Sequence, residues 1–209
     1  NGERALFPHT WTTLTASGLL SEDRLIQEAR MRMLLWQFAQ PAGGGVTSSQ
    51  LQAAPHYLSQ LAAHDNALLA DAAMRLISAI LRDTMGAPGQ LVELPAELLH
   101  MLVWRVIAAH EVIAPGRHVA LQAKVPAILA AHDEGQAHGR SAQYLAHKLM
   151  ELHCVDANRP EVAPAKQGLA LSLALLSLAS GLSFVQLAQM ALEPGLARLC
   201  VVMRSLGYD

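Results

Sequence analysis

Charged side chains are scarce in this sequence. Asp and Glu total 17 and Lys and Arg total 15 among 209 residues, which leaves a formal net charge of −2. Apolar residues make up 52% of the chain, and this proportion excludes an intrinsically disordered protein. A chain so close to neutral offers no electrostatic basis for binding nucleic acid or an anionic membrane.

Valine, isoleucine and aromatic residues are also few, whereas Leu and Ala dominate. This balance favours helix over strand. We therefore predict an all-α protein, built as an irregular multi-helix bundle or a short α-solenoid of antiparallel helix pairs. The prediction is a single helical domain over 1–209, with a lead-in at 1–20, amphipathic helices over 21–154 and buried C-terminal helices over 164–207.

The segment 167–192 contains no Asp, Glu, Lys, Arg or His. A membrane span needs roughly 20 predominantly apolar residues, but the dense apolar part ends at Ser180-Gly181. Gly181 suits the position just past a helix end, and Ser183 can cap a second helix. We therefore predict two short helices buried inside the protein, and no membrane span.

Local signals predict where other helices begin. Ser21 and Asp65 are expected N-caps, Pro95 a first helical position, and Pro194 the start of the last helix. Another helical segment is expected from Ser48 or Ser49, restarting at Pro55. A helix over about 118–131 should bend or split at Pro126.

One short repeated sequence supports the short α-solenoid rather than the irregular bundle. Leu61–Asp65 recurs as Leu129–Asp133, and a helix is expected after both copies. The two copies are either a degenerate helical repeat or two similar helix junctions.

Histidines are numerous, ten in all, and densest towards the C-terminal half. A metal-dependent enzyme using His132, His138 or His147 is one hypothesis, with possible further ligands at Asp133, Glu134, Glu151 and His153. His147 and Glu151 are one helical turn apart, but neither H-E-x-x-H nor C-x-x-C is present. Solvated or cap-forming histidines explain the same pattern. We predict no metal, no cofactor and no catalytic residue.

Cysteine is nearly absent. Cys154 and Cys200 lie in or beside apolar helical sequence, where small buried residues of a reducing compartment are expected. With no visible signal peptide, this favours a cytoplasmic protein. Helix 183–192 contains no Lys or Arg, which argues against a DNA-recognition helix.

The helix predicted over about 96–113 has an apolar stripe formed by Leu98, Met101, Leu102, Val106 and Ile107. Trp104 lies at the edge of this stripe, so it is either a core residue or an interface anchor. His100 and Arg105 on the same helix are expected to be solvated.

Several short segments resemble a bacterial helical family that is known only as a domain of unknown function. They are Ala16–Leu20, Leu94–Leu98 with Leu102–Trp104, Ala130–Gly135 and Leu192–Pro194. The resemblance implies an all-helical cytoplasmic protein, and it brings no reaction and no catalytic residues. The family pattern is longer at the N-terminus than this chain.

The leading functional prediction is a non-enzymatic protein–protein interaction or regulatory domain, since helical arrays offer extended surfaces. Self-association is included in this prediction. The alternative is a small apolar-ligand binding protein with an inter-helix pocket, lined by residues such as Met101, Trp104, Leu173 or Leu176.

Overall fold

The computed structural model describes residues 2–39, 56–85, 94–116, 118–156 and 158–208, and these contain helices, turns and no strand. The all-α prediction is therefore confirmed, as a multi-helix bundle. The helices are α1 (Gly2–Ala16), α2 (Asp23–Ala39), α3 (His56–Ala62), α4 (Ala67–Met85), α5 (Ala96–Ile113), α6 (His118–Gln122), α7 (Val125–Ala131), α8 (His138–Glu151), α9 (Pro164–Gln167), α10 (Leu169–Ser180), α11 (Phe184–Ala191) and α12 (Ala197–Ser205).

The chain divides into two compact units, each made from two separate segments. Unit 1 comprises Asn1–Ala29 and Gln90–Glu134, and unit 2 comprises Arg30–Gly89 and Gly135–Asp209. The first division falls inside α2. The single helical domain over 1–209 stays a prediction.

The core of unit 2 is centred on α8, which packs against both α4 and α10. Its buried face repeats every three or four residues, as one face of a helix must. Alanines without solvent exposure on both α4 and α8 let the two backbones approach closely. The facing buried residues are Leu69, Ala72, Ala73, Leu76 and Ile80 on α4, and Ser141, Ala142, Leu145, Ala146 and Leu149 on α8.

α10 is the central helix that the apolar segment predicts, because every residue of Leu169–Leu176 is buried. The sequence predicts buried helices from residue 164 onwards, but α10 itself begins only at Leu169. Gly168 has φ 86° and ψ 151°, a conformation suited to glycine, and it separates the single-turn α9 from α10. Just before this break, buried Gln167 donates from Nε2 to the Glu161 carbonyl at 2.7 Å and to Ser172 Oγ at 3.1 Å.

The predicted break in this apolar segment is confirmed. Gly181 has φ 72°, and α11 begins after Ser183 in a reciprocal capping box with Gln186. Gln186 N donates to Ser183 Oγ at 3.2 Å, while Ser183 N donates to Gln186 Oε1 at 2.9 Å. Across the described ranges, no helix is both long enough and apolar enough to cross a membrane.

Several helix starts differ from the sequence predictions by one to three residues. α2 begins after Glu22, whose carbonyl accepts from Ile26 N at 3.0 Å, so Ser21 is not its N-cap. Asn66 rather than Asp65 caps α4, since Asn66 Oδ1 accepts from Leu68 N at 3.0 Å. Adjacent residues can each serve as the N-cap of a helix, and the path of the backbone determines which of them does so.

Three further sequence predictions depend on proline. Pro95 is the N-cap of α5 rather than its first residue, and its carbonyl accepts from Leu99 N at 3.0 Å. α12 begins at Ala197, after Leu196 with φ 54°, and not at Pro194. The predicted split near Pro126 is confirmed by the separate helices α6 and α7. The start expected at Ser48 or Ser49 and the restart expected at Pro55 lie outside the described residues.

Unit 1 is organised around α5, which packs against α1, α6 and α7. α1 extends over Gly2–Ala16 and so is longer than a short helix within a lead-in. A small apolar cluster packs α1 against α5 and against the turn that follows α1. This cluster contains buried Leu14, Leu19 and Ala109, with Leu25, Met101 and Leu102 packed against it.

Candidate functional site

The histidine-rich region falls in both units. In unit 1, His132 Nε2 lies 2.7 Å from the Leu94 carbonyl, and Glu134 Oε2 accepts from Ala96 N at 3.3 Å. Both contacts fix the backbone at the start of α5. His132 and Glu134 therefore have structural partners, and neighbouring Asp133 is exposed.

The remaining metal candidates belong to unit 2. His138 is buried at the first residue of α8, His147 is exposed, and His153 follows the helix with φ 53°. Glu151 pairs with Lys148 at 2.6 Å, and this hydrogen bond holds the pKa of the Glu151 carboxyl below its usual range. Among the residues that the structure describes, no three His, Cys, Asp or Glu side chains form a group that could hold a metal ion.

The cysteines differ from expectation. Cys154 and Cys200 are both free thiols, and both are exposed rather than buried. Cys154 lies beyond the end of α8, and its Sγ is 3.7 Å from the Leu152 carbonyl. Leu152 and Val155 on either side of it pack against the core, but Cys154 itself is exposed. Apolar neighbours in the sequence therefore do not bury these thiols.

The four residues suggested for a ligand pocket are divided between the units. Leu173 and Leu176 are buried in the α10 core, with 2% and 1% exposure. Met101 packs against the small cluster of unit 1, and Trp104 is 41% exposed. The two leucines are part of the packed core of unit 2.

One side of α5 in unit 1 carries an exposed apolar face. Trp104, Ala108 and Val112 are all exposed, with Val112 reaching 73%. Their spacing of four residues places them on adjacent turns of the same side of the helix. We call these three residues the α5 face.

The Trp104 indole is held in a defined position. Its Nε1 donates to His100 Nε2 at 3.0 Å, one turn earlier, and the two rings meet edge to face with centroids 6.1 Å apart. The indole N–H is therefore already satisfied within the helix. A partner can cover the ring without leaving that donor unpaired.

Ion pairs tie α5 to the start of α2 within unit 1. Arg105 Nη2 lies 3.0 Å from Glu22 Oε2, and both side chains are only about one-third exposed. Arg105 is thus paired, not simply solvated as the sequence suggested. The second pair, Arg24 with Glu97 at 3.0 Å, is far more exposed and contributes about 0–1 kcal/mol at most.

The sequence pattern singles out Trp104 but not Ala108 or Val112. It also places Val106 in the apolar stripe of the helix, whereas Val106 is 37% exposed. The four-residue spacing from Trp104 was visible in the sequence and could have revealed the other two. Which side of α5 is covered depends on the packing of α1, α6 and α7, which spacing alone does not determine.

Comparison with known proteins adds no further assignment to this geometry. No protein family, no curated protein and no solved structure was found to match the chain.

Proposed function

We propose that this chain is a non-enzymatic protein-interaction domain that binds a protein partner, or a second copy of itself, through the α5 face. The observation that carries the proposal is the exposure of Trp104 beside Ala108 and Val112 on one side of a packed helix. Tryptophan is among the residues most enriched at energetic hot spots of protein interfaces.

The energetics of the α5 face support binding. Fully burying a side chain such as valine stabilises by about 1.5–3 kcal/mol, and Val112 is largely uncovered. An indole buries a larger area and already has its N–H paired. Packing of α5 against α1 and the Arg105–Glu22 pair hold this face in place before binding, so less side-chain freedom is lost on association.

The same proposal includes a regulatory role, a cytoplasmic location and membership of the bacterial helical family of unknown function that the sequence resembles. The two free, exposed cysteines support the location, since such thiols persist in reducing compartments. Ala130–Gly135 and Leu94–Leu98 are among the segments that support the family.

The test compares Trp104→Lys with Val201→Lys. Val201 is 68% exposed on α12, so this control adds the same charge to an exposed apolar site in unit 2. Each purified variant is used to capture partners from extract of the native cells, and its self-association is measured by sedimentation velocity. Loss of a hot-spot residue costs about 2 kcal/mol or more, so we expect binding to weaken by at least about 30-fold for Trp104→Lys.

Circular dichroism confirms that both variants keep the helical content of the original chain. The proposal is supported if Val201→Lys retains the partner or the self-association and Trp104→Lys loses it. Equal binding by all three proteins contradicts a role for the α5 face. Equal loss in both variants identifies nonspecific adhesion of apolar surface and also overturns the proposal.

A further inference from the structure

We draw no further inference here: the strongest candidate, the side-chain cluster of Tyr57, Glu161 and Lys166 where α3 packs against α9, satisfies its charges internally, and nothing in the described part of the chain points to a ligand that it would hold.

Discussion

At the residue scale, single polar and small side chains decide where helices start and how closely they pack. Asn66 Oδ1 accepts from Leu68 N at 3.0 Å and from Leu69 N at 3.3 Å at the start of α4, where the first amides of a helix have no partner within it. Leu69 N also donates to the Asn66 carbonyl at 3.1 Å, so the Asn66 side chain matters most for Leu68 N. Gly139 acts through the side chain that it lacks, because the absence of a Cβ makes room for the Phe184 ring. Both effects are local enough to be measured one substitution at a time.

We expect Asn66→Ala to destabilise the protein by about 1 kcal/mol, because it removes the N-cap of α4. Asp65→Ala is the matched control, since Asp65 is exposed and one residue away, and it should change stability by no more than about 0.5 kcal/mol. Urea denaturation followed by circular dichroism measures both. A larger loss from Asp65→Ala would restore Asp65 as the cap.

Gly139→Ala should destabilise by about 1 kcal/mol. A Cβ at this position would lie 2.9 Å from Cε1 of the buried Phe184 ring, and overpacking costs about 1–3 kcal/mol. The better helix propensity of alanine offsets up to about 1 kcal/mol of that cost.

The double variant Gly139→Ala with Phe184→Leu tests the mechanism. A smaller side chain at 184 should relieve the clash. The double variant should therefore lose at least about 0.5 kcal/mol less unfolding free energy than the sum of the losses in Gly139→Ala and Phe184→Leu. Strict additivity in denaturation experiments would show that the ring contact is not the cause.

At the element scale, α10 is the helix of unit 2 whose first eight residues are all buried. Its buried residues surround the helix axis, whereas α4 and α8 each bury one face. The helix also ends in a defined way, at Gly181, and the capping box at Ser183 begins the next helix without a long connection. Removing apolar volume from α10 should therefore weaken the contacts of several neighbours together.

Leu175→Ala should cost about 2–5 kcal/mol, because Leu175 is fully buried and its removal leaves a cavity in a packed core. Val185→Ala, at a site that is 56% exposed on α11, should change stability by no more than about 0.5 kcal/mol. Chemical denaturation of both variants gives the comparison. Similar losses would mean that α10 is not packed as the structure describes.

The elements that sequence reasoning predicted well are those with strong local signals. The break at Ser180-Gly181, the cap at Ser183 and the split near Pro126 each depend on a few neighbouring residues. The exact starts of α2, α4 and α12 depend on which of several suitable side chains folds back on the backbone. The exposure of Trp104, Val106 and both cysteines depends on which surfaces other helices cover, and no local pattern encodes that.

At the scale of the whole molecule, the two units differ in the size of their apolar cores. The apolar cluster of unit 2 extends over residues of α2, α3, α4, α8, α10, α11 and α12. Among the described residues of unit 1, the buried apolar side chains are Leu14, Leu19, Leu98, Leu99, Ile107, Ala109 and Val125. Opening free energies vary across a protein with the local density of buried contacts. The units should therefore differ in how readily their helices open.

We expect amides in α8 and α10 to exchange with solvent at least about 10-fold more slowly than those in α1, a difference of about 1.4 kcal/mol. Native-state hydrogen exchange followed by mass spectrometry measures this. Uniform protection across all three helices would contradict the expectation and would support a single cooperative domain over 1–209.

The discontinuous make-up of the units has a consequence for synthesis on the ribosome, where the N-terminal part of a chain emerges first. Unit 1 has all its segments once residue 134 has left the exit tunnel. Unit 2 must wait, because α4 can pack against α3 early but meets α8 only when α8 has been synthesised, and α8 meets α10 later still. Until then part of the apolar face of α4 lacks its final cover, in a nascent chain with few charges to keep it apart from others. The growing chain should therefore depend on chaperones that shield α4 until its C-terminal helices have been translated.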